Sequence, residues 1–197
     1  TILRRGREDE FDVTVTRDII KIESVQETML RNNVGYIRIN SFTGRTVREF
    51  REAFLELKSQ GKLEAVILDL RRNPGGLLDA AKGVADTFIP GGIIVSTRGR
   101  LKEFKKEYEA HSEVLFSEDV EVVVLVDEYS ASGSEIVAGA IKDTKRGILV
   151  GNKTYGKGVV QQRFPLDSGG GAVSLTIATY YTPNGTSIHE HGIKPNV

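Results

Sequence analysis

Three short segments of the chain hold residue types that can do chemistry. The first is Tyr129-Ser130-Ala131-Ser132-Gly133-Ser134-Glu135-Ile136, just after the apolar run Val122-Val123-Val124-Leu125-Val126. The run predicts a buried strand, and the segment predicts its turn into a helix. A hydroxyl at such a turn can project from the carboxyl end of a sheet. The N–H groups of the first helical turn point outward beside it, at the positive end of the helix dipole. A nucleophile next to an oxyanion hole is equipment for acyl transfer. The same residues support a plainer reading. Ser132 and Glu135 match an S/T-x-x-E capping box, in which the serine only caps a helix.

A serine nucleophile needs a base. The histidines are His111, His189 and His191. His111 falls in a Lys- and Glu-dense stretch, Leu101 to Glu113, that predicts a solvated surface helix or excursion. His189-Glu190-His191 falls in a loop flanked by Gly and Pro. Two His at i and i+2 can share a strand face and bind metal, but no third ligand accompanies them. Lysine is the alternative base. It must be neutral to accept a proton, so burial has to lower its pKa from ~10.4 toward ~7–8.

The second segment, Thr154-Tyr155-Gly156-Lys157-Gly158, sets a lysine between two glycines. Bare backbone allows close approach there, and the lysine stem can reach inward. Gly151 to Lys157 also matches the G-x-x-x-x-G-K of a phosphate-binding loop. However, Gly158 stands where that loop needs Ser or Thr, and Val159 to Phe164 reads as a strand rather than the helix that such a loop opens. The third segment is Asp69-Leu70-Arg71-Arg72-Asn73-Pro74-Gly75-Gly76. Its glycines can present a second oxyanion donor, or can form an ordinary strand-to-helix turn.

A set order of elements must position these segments. Gly35 to Ile39 predicts a short strand. Val47, Phe50, Phe54 and Leu57 at helical spacing predict a helix, opened by a Thr46/Glu49 capping box and stopped at Gly61. Ala65 to Leu68 predicts a continuous apolar strand, and Leu77 to Phe88 a helix. Strands are expected at Ile93 to Val95, Val122 to Val126 and Ile148 to Val150, with a helix from Ser132 to Lys142. Uninterrupted apolar strands alternating with helices mean an α/β core whose sheet is covered on both faces. Val159 to Phe164 and Ala172 to Tyr181 alternate at period two, so a β-rich segment closes the domain. Residues 1–34 are charged and irregular, with Ile2-Leu3 and Phe11 to Arg17 as edge-like strands.

Composition narrows the class. In 197 residues, 39% are hydrophobic and 27% charged, which is ordinary for a globular protein. Lys+Arg and Asp+Glu both count 27, and this zero balance argues against a general nucleic-acid binder. Cysteine is absent, which excludes disulfides, thiolate nucleophiles and zinc–thiolate sites. No apolar run approaches the ~18–20 residues of a membrane-crossing helix. The chain begins at Thr1 rather than Met and reads as a piece of a longer protein.

Together the segments resemble those of the carboxyl-terminal processing (tail-specific) serine proteases. Gly35 to Ile39 with Phe42, Asp69 to Leu78, Ser130 to Asp143 and Thr154 to Gln161 occur in that family's order, across roughly residues 10–197. The resemblance implies an α/β fold, the crotonase-like ββα spiral with a β-rich C-terminal segment. It implies Ser132 as nucleophile and Lys157 as general base, with Gln161 holding the neutral amine. If Lys157 and Gln161 lie on one strand, they share a face at period two. The amides of Gly76 and Gly133 would form the oxyanion hole, with Asp143 and Glu135 as structural support. One departure is Gly133, where the family usually has alanine; the backbone N–H is kept.

The activity implied is a serine endopeptidase that cuts proteins near unstructured, apolar C-termini through an acyl-enzyme. No metal, nucleotide or other cofactor is called for, and no nucleic acid. The family also carries a PDZ domain, which captures substrate tails as an added strand. Residues 1–20 resemble the closing strands of such a domain, leaving residues 21–197 as the catalytic core. Partners would be polypeptides with unstructured C-termini and that PDZ domain; a homo-oligomer or regulatory partner is compatible. The location implied is extracytoplasmic: periplasm, cell-envelope exterior or thylakoid lumen. Two rivals stand beside this reading: a binding-only domain on the same fold, in which Ser132 never acylates, and an acyl-thioester enzyme of the crotonase type.

Overall fold

The computed structural model describes residues 1–6, 8–18, 23–111, 114–166 and 170–197. Along the chain run β1 (Val25–Met29), β2 (Val34–Ile39), α1 (Thr46–Ser59), β3 (Ala65–Asp69), α2 (Leu78–Asp86) and β4 (Ile93–Gly99). Then follow β5 (Lys106–Glu109), β6 (Glu121–Val126), α3 (Gly133–Asp143), β7 (Ile148–Gly151), β8 (Val159–Pro165) and β9 (Ala172–Tyr181). The strands form two sheets, ordered β1-β2-β3-β6-β7 and β5-β4-β9-β8. In the first, β2, β3, β6 and β7 are parallel and β1 is an antiparallel edge. The second is antiparallel throughout. This is the expected α/β core with a β-rich closing segment.

The apolar strands are buried as their composition demands. Val66, Leu68, Val124 and Leu149 are fully enclosed, as strands of a parallel sheet generally are. Helix α1 buries Phe50, Ala53, Phe54 and Leu57 on one side. Phe88 stacks on Phe116 with ring centroids 4.6 Å apart, and Phe54 meets Phe116 edge-on at 4.8 Å. Each such pair adds about 0.5–1.5 kcal/mol beyond area burial. Because β3 and β6 pair in parallel, with Asp69 opposite Leu125, the Asp69 and Tyr129 segments leave the sheet side by side.

Four local expectations are corrected. Arg45, not Thr46, is the N-cap of α1, and no side chain caps that helix. Glu49 instead accepts the N–H and hydroxyl of Ser24 at 2.8 and 2.6 Å, because the segment leading into β1 lies against α1 and supplies better donors. In the charged stretch 101–113, Lys106–Glu109 is not a helix but strand β5, an edge of the second sheet; charged residues suit such an edge because they discourage further pairing. Residues 1–34 hold the ordered strand β1, an edge strand whose middle residues Gln26, Glu27 and Thr28 are exposed and so carry no period-two apolar pattern. The expected strand at Phe11 to Arg17 reduces to a single bridge, Ile2 with Phe11. The 20/21 boundary expected between two domains lies outside the described residues.

Candidate active site

Strand β6 ends at Val126, and the next six residues make the turn into α3. Asp127 organises it. Its Oδ1 accepts the N–H groups of Arg72 (2.9 Å) and Tyr129 (3.1 Å) and lies 3.1 Å from the Ser130 hydroxyl. Ser130 is fully buried; its hydroxyl donates to the Leu70 carbonyl at 2.9 Å. The Asn73 carbonyl accepts the Ala131 N–H (3.0 Å) and the Ser134 hydroxyl (2.9 Å). Asn73 is itself buried, donating to the Ile39 carbonyl and accepting the Gly75 N–H. The glycine turn and the serine turn are thus laced into one unit.

Ser132 sits at its centre with φ 54 and ψ −110. A residue with a side chain rarely adopts such a backbone, and holding it costs about 1–3 kcal/mol. What holds it is Glu135, whose Oε2 accepts the Ser132 N–H at 2.8 Å. Gly75, at φ +96, packs so closely that a Cβ there would lie 2.7 Å from both the Gly133 nitrogen and Ser132 Cβ. Gly76, at φ +144, leaves no room either, since a Cβ would fall 2.0 Å from the Phe42 carbonyl oxygen. Phe42 bonds to both sides of Gly76, taking the Leu77 N–H and giving its own N–H to Gly75. Among the described residues, the N–H groups of Gly76 and Gly133 have no hydrogen-bond partner, while those of Gly75, Leu77, Ser132 and Ser134 do. Gly133 also makes room for the Phe42 ring, which a Cβ would approach to 3.0 Å.

Glu135 reaches further than its own helix. It is fully buried, and besides Ser132 it accepts the Thr154 hydroxyl (2.6 Å), the Gly156 N–H (2.6 Å) and the Lys157 N–H (2.8 Å). A buried carboxylate is tolerated when charge-assisted hydrogen bonds fill its lone pairs. One side chain therefore fastens the lysine segment to the serine turn. The Tyr155 N–H adds a bond to the Ser130 carbonyl at 3.1 Å, and Glu190 gives its N–H to Gly156 from the C-terminal loop.

The lysine departs from expectation in two respects. Its backbone is clamped, but the Lys157 side chain is exposed rather than buried. It lines a cavity of about 660 Å³ with Arg72, Pro74, Tyr129, Ala131 and Tyr155. Among the described residues its amine makes no hydrogen bond with Ser132. Second, Lys157 precedes β8, while Gln161 follows a bulge between Val160 and Gln161 and pairs with Thr176. The shared face at period two therefore does not arise: the pair is not on one strand, and the bulge resets the alternation. Gln161 is exposed. Asp143, at the end of α3, accepts the Asn184 N–H at 3.0 Å and so anchors the loop after β9.

Asp69 ends β3 beneath the site. Burial pushes its carboxyl up, but hydrogen bonds from Arg71 and Tyr36 outweigh it and hold the group below the usual carboxylate range. Arg71 binds both oxygens, and Arg38 lies 3.3 Å away. Burial and the bond to Asp69 raise the Tyr36 phenol. Of the residues that sequence reasoning missed, Asp127 has a local signal, the Asp-x-Tyr turn over residues 127–129. Asn73 and Thr154 lie in segments singled out, but nothing local marks their partners. His111 pairs with Asp86 on the surface, and His191 lies against the His189 carbonyl.

Comparison with known proteins follows the same outline. Residues 33–197 match peptidase family S41. The chain is 42% identical over 200 residues to a carboxy-terminal-processing protease of Bartonella bacilliformis, a match that covers all of this chain and 45% of that protein. It is 39% identical over 199 residues to a carboxyl-terminal-processing protease of Synechocystis sp., covering 99% of this chain and 45% of the relative. The chain thus spans less than half the length of these curated relatives. Among solved structures, a photosystem II D1 C-terminal processing protease superposes with a TM-score of 0.80 at 34% identity, covering 92% of this chain and 50% of that one.

Proposed function

The chain belongs to peptidase family S41, and on that premise we propose that it is the catalytic core of a serine endopeptidase that trims proteins near their C-termini. One observation carries the reading. Ser132 is held in a strained backbone by Glu135, the same carboxylate clamps the Lys157 segment, and among the described residues two neighbouring amides, Gly76 and Gly133, have no partner. Ser132 and Glu135 do form the capping box of α3, but a cap by itself needs neither the strained backbone nor a clamp on the Lys157 segment nor spare amides beside it.

The chemistry follows from the positions. The Lys157 amine, in its neutral form, takes the Ser132 Oγ proton as Oγ attacks the scissile carbonyl carbon. The carbonyl oxygen gains negative charge and accepts hydrogen bonds from the Gly76 and Gly133 amides. The C–N bond breaks, and the lysine ammonium returns its proton to the leaving amine. Water then attacks the acyl ester, Lys157 takes its proton, and the new C-terminal acid leaves as Ser132 is restored. Because the amine is exposed here, bound substrate or a covering domain would supply the dehydration that favours a neutral amine. Gln161 stands on the strand that follows and would orient the amine after local adjustment. Asp143 and Glu135 are supports.

The substrates proposed are polypeptides with unstructured, apolar C-termini. A PDZ domain of the full-length protein would present them, residues 1–20 being its closing strands and residues 21–197 the core. The location proposed with this reading is extracytoplasmic. The decisive experiment is intact-mass analysis of an unfolded protein with an apolar C-terminus, incubated with this chain and with Ser132→Ala. Cleavage by the parent and loss of at least about 1,000-fold in the variant is expected. Undiminished cleavage by Ser132→Ala would refute the assignment.

A further inference from the structure

The cavity beside Ser132 carries a charge that the mechanism does not use. Arg72 lines its wall together with Pro74, Tyr129, Ala131, Tyr155 and Lys157, and none of these residues is acidic. Two other arginines near the end of β3 show the contrast: Arg71 and Arg38 both pair with Asp69. Among the described residues, Arg72 has no ion-pair partner. Its guanidinium lies 6.0 Å from the centre of the Tyr129 ring, a weak contact that orients it without neutralising it.

The backbone makes that placement deliberate. Arg72 sits at φ 59, in the left-handed region that glycine or asparagine occupies with less strain. Asp127 anchors its N–H at 2.9 Å, and Asp127 belongs to the serine turn. The Arg72 backbone is thus fixed to the turn that carries Ser132, and its exposed guanidinium, without an ion-pair partner among the described residues, stands on the wall of the cavity. A guanidinium binds a carboxylate through two parallel hydrogen bonds. Carboxylates are the only anions an unmodified polypeptide carries near neutral pH.

We propose that Arg72 is a specificity-determining residue that binds a carboxylate of the polypeptide substrate, either its terminal α-carboxylate or an Asp or Glu side chain. This rests on reading the cavity as the substrate site of a protease. The test uses one unstructured peptide in two matched pairs: free acid against C-terminal amide, and a single Glu against Gln near the cut. kcat/KM is measured for the chain, for Arg72→Asn, which tolerates the left-handed backbone, and for Arg72→Lys, with circular dichroism to verify folding. The parent should prefer the carboxylate member of one pair about tenfold, mainly through KM. Arg72→Asn should bring that ratio close to one, and Arg72→Lys should keep part of it. The pair that responds identifies the source of the carboxylate. Equal ratios in parent and Arg72→Asn for both pairs would overturn the proposal.

The same peptides, fluorescently labelled, are titrated onto Ser132→Ala with and without Arg72→Asn, and binding is read by anisotropy. A carboxylate preference in binding that Arg72→Asn erases, without hydrolysis by the parent, would sink the protease reading and keep Arg72. Hydrolysis without any preference would do the reverse, and neither binding nor hydrolysis would overturn both.

Discussion

The serine and the lysine reach the site from two sheets of different character. The five-stranded sheet is parallel apart from β1, and Val66, Leu68 and Val124 in it are fully enclosed. The four-stranded sheet ends in the β8–β9 hairpin, whose outer half is exposed on both faces. Leu175, Val173 and Phe164 there are 51, 41 and 36% exposed. Ser132 therefore comes from a tightly packed core, and Lys157 from a segment that enters an open arm. Rigid packing can hold a strained backbone such as that of Ser132, whereas an exposed arm cannot. The Lys157 segment is given comparable definition by Glu135, a side chain of the helix that Ser132 opens.

Breaking that joint should have the largest effect. Glu135→Ala leaves four donors without their acceptor, and we expect a loss of about 3 kcal/mol in denaturant unfolding. Cleavage should fall more than about 100-fold, since misplacement by an ångström or so costs that much. Near-parental cleavage by this variant would show that the two regions are not coupled through the carboxylate.

Asp69→Asn probes the enclosed region alone. Its loss should be about 1.5–3 kcal/mol at neutral pH, the range for hydrogen bonds to a charged group. The pH dependence has a definite sign. The folded carboxyl lies below its ordinary value, so its contribution is present above the unfolded pKa of ~3.9 and is lost as pH falls through the folded value. The stability gap between parent and Asp69→Asn should therefore be constant near pH 6–7 and narrow below about pH 4. A gap independent of pH would remove the carboxylate's charge from the account. The smallest effect belongs to the open arm: Leu175→Ser should change stability by no more than about 0.5 kcal/mol. A loss of several kcal/mol would mean that the hairpin is covered in solution.

Much of this was legible beforehand, for physical reasons that also explain the gaps. The apolar runs Ala65 to Leu68 and Val122 to Val126 announce enclosed strands, since nothing else satisfies four or five consecutive apolar residues so readily. The Ser132 turn could be located because small residues must follow such a strand when it enters a helix. The Ser132/Glu135 spacing predicted a bond between them, and Glu135 does hold the Ser132 N–H. The identical spacing at Thr46 and Glu49 predicted a box that does not form, because Ser24 offers Glu49 two better donors. Capping patterns describe a helix in isolation and cannot weigh a competitor more than twenty residues away. Lys157 shows the same limit. Its flanking glycines allow the side chain inward, yet in the fold they admit the C-terminal loop, with Glu190 bonded to Gly156, and the side chain stays exposed.

By itself the sequence determined the alternation of strands and helices from Gly35 to Ile141 outside the charged stretch, the turns at Gly75 and Ser132, and the closing strands, and it singled out Ser132, Lys157 and the two glycines as candidates. These depend on patterns within one segment, where the physics is local: burial period, backbone freedom and hydroxyl placement. Tertiary structure alone decided that Asn73 and Asp127 lace two turns together, that Glu135 spends most of its hydrogen bonds on a segment about twenty residues away, and that the Gly76 and Gly133 amides are left over. Those outcomes depend on which strand ends lie side by side. The parallel pairing of β3 with β6 sets that, and no single segment encodes it.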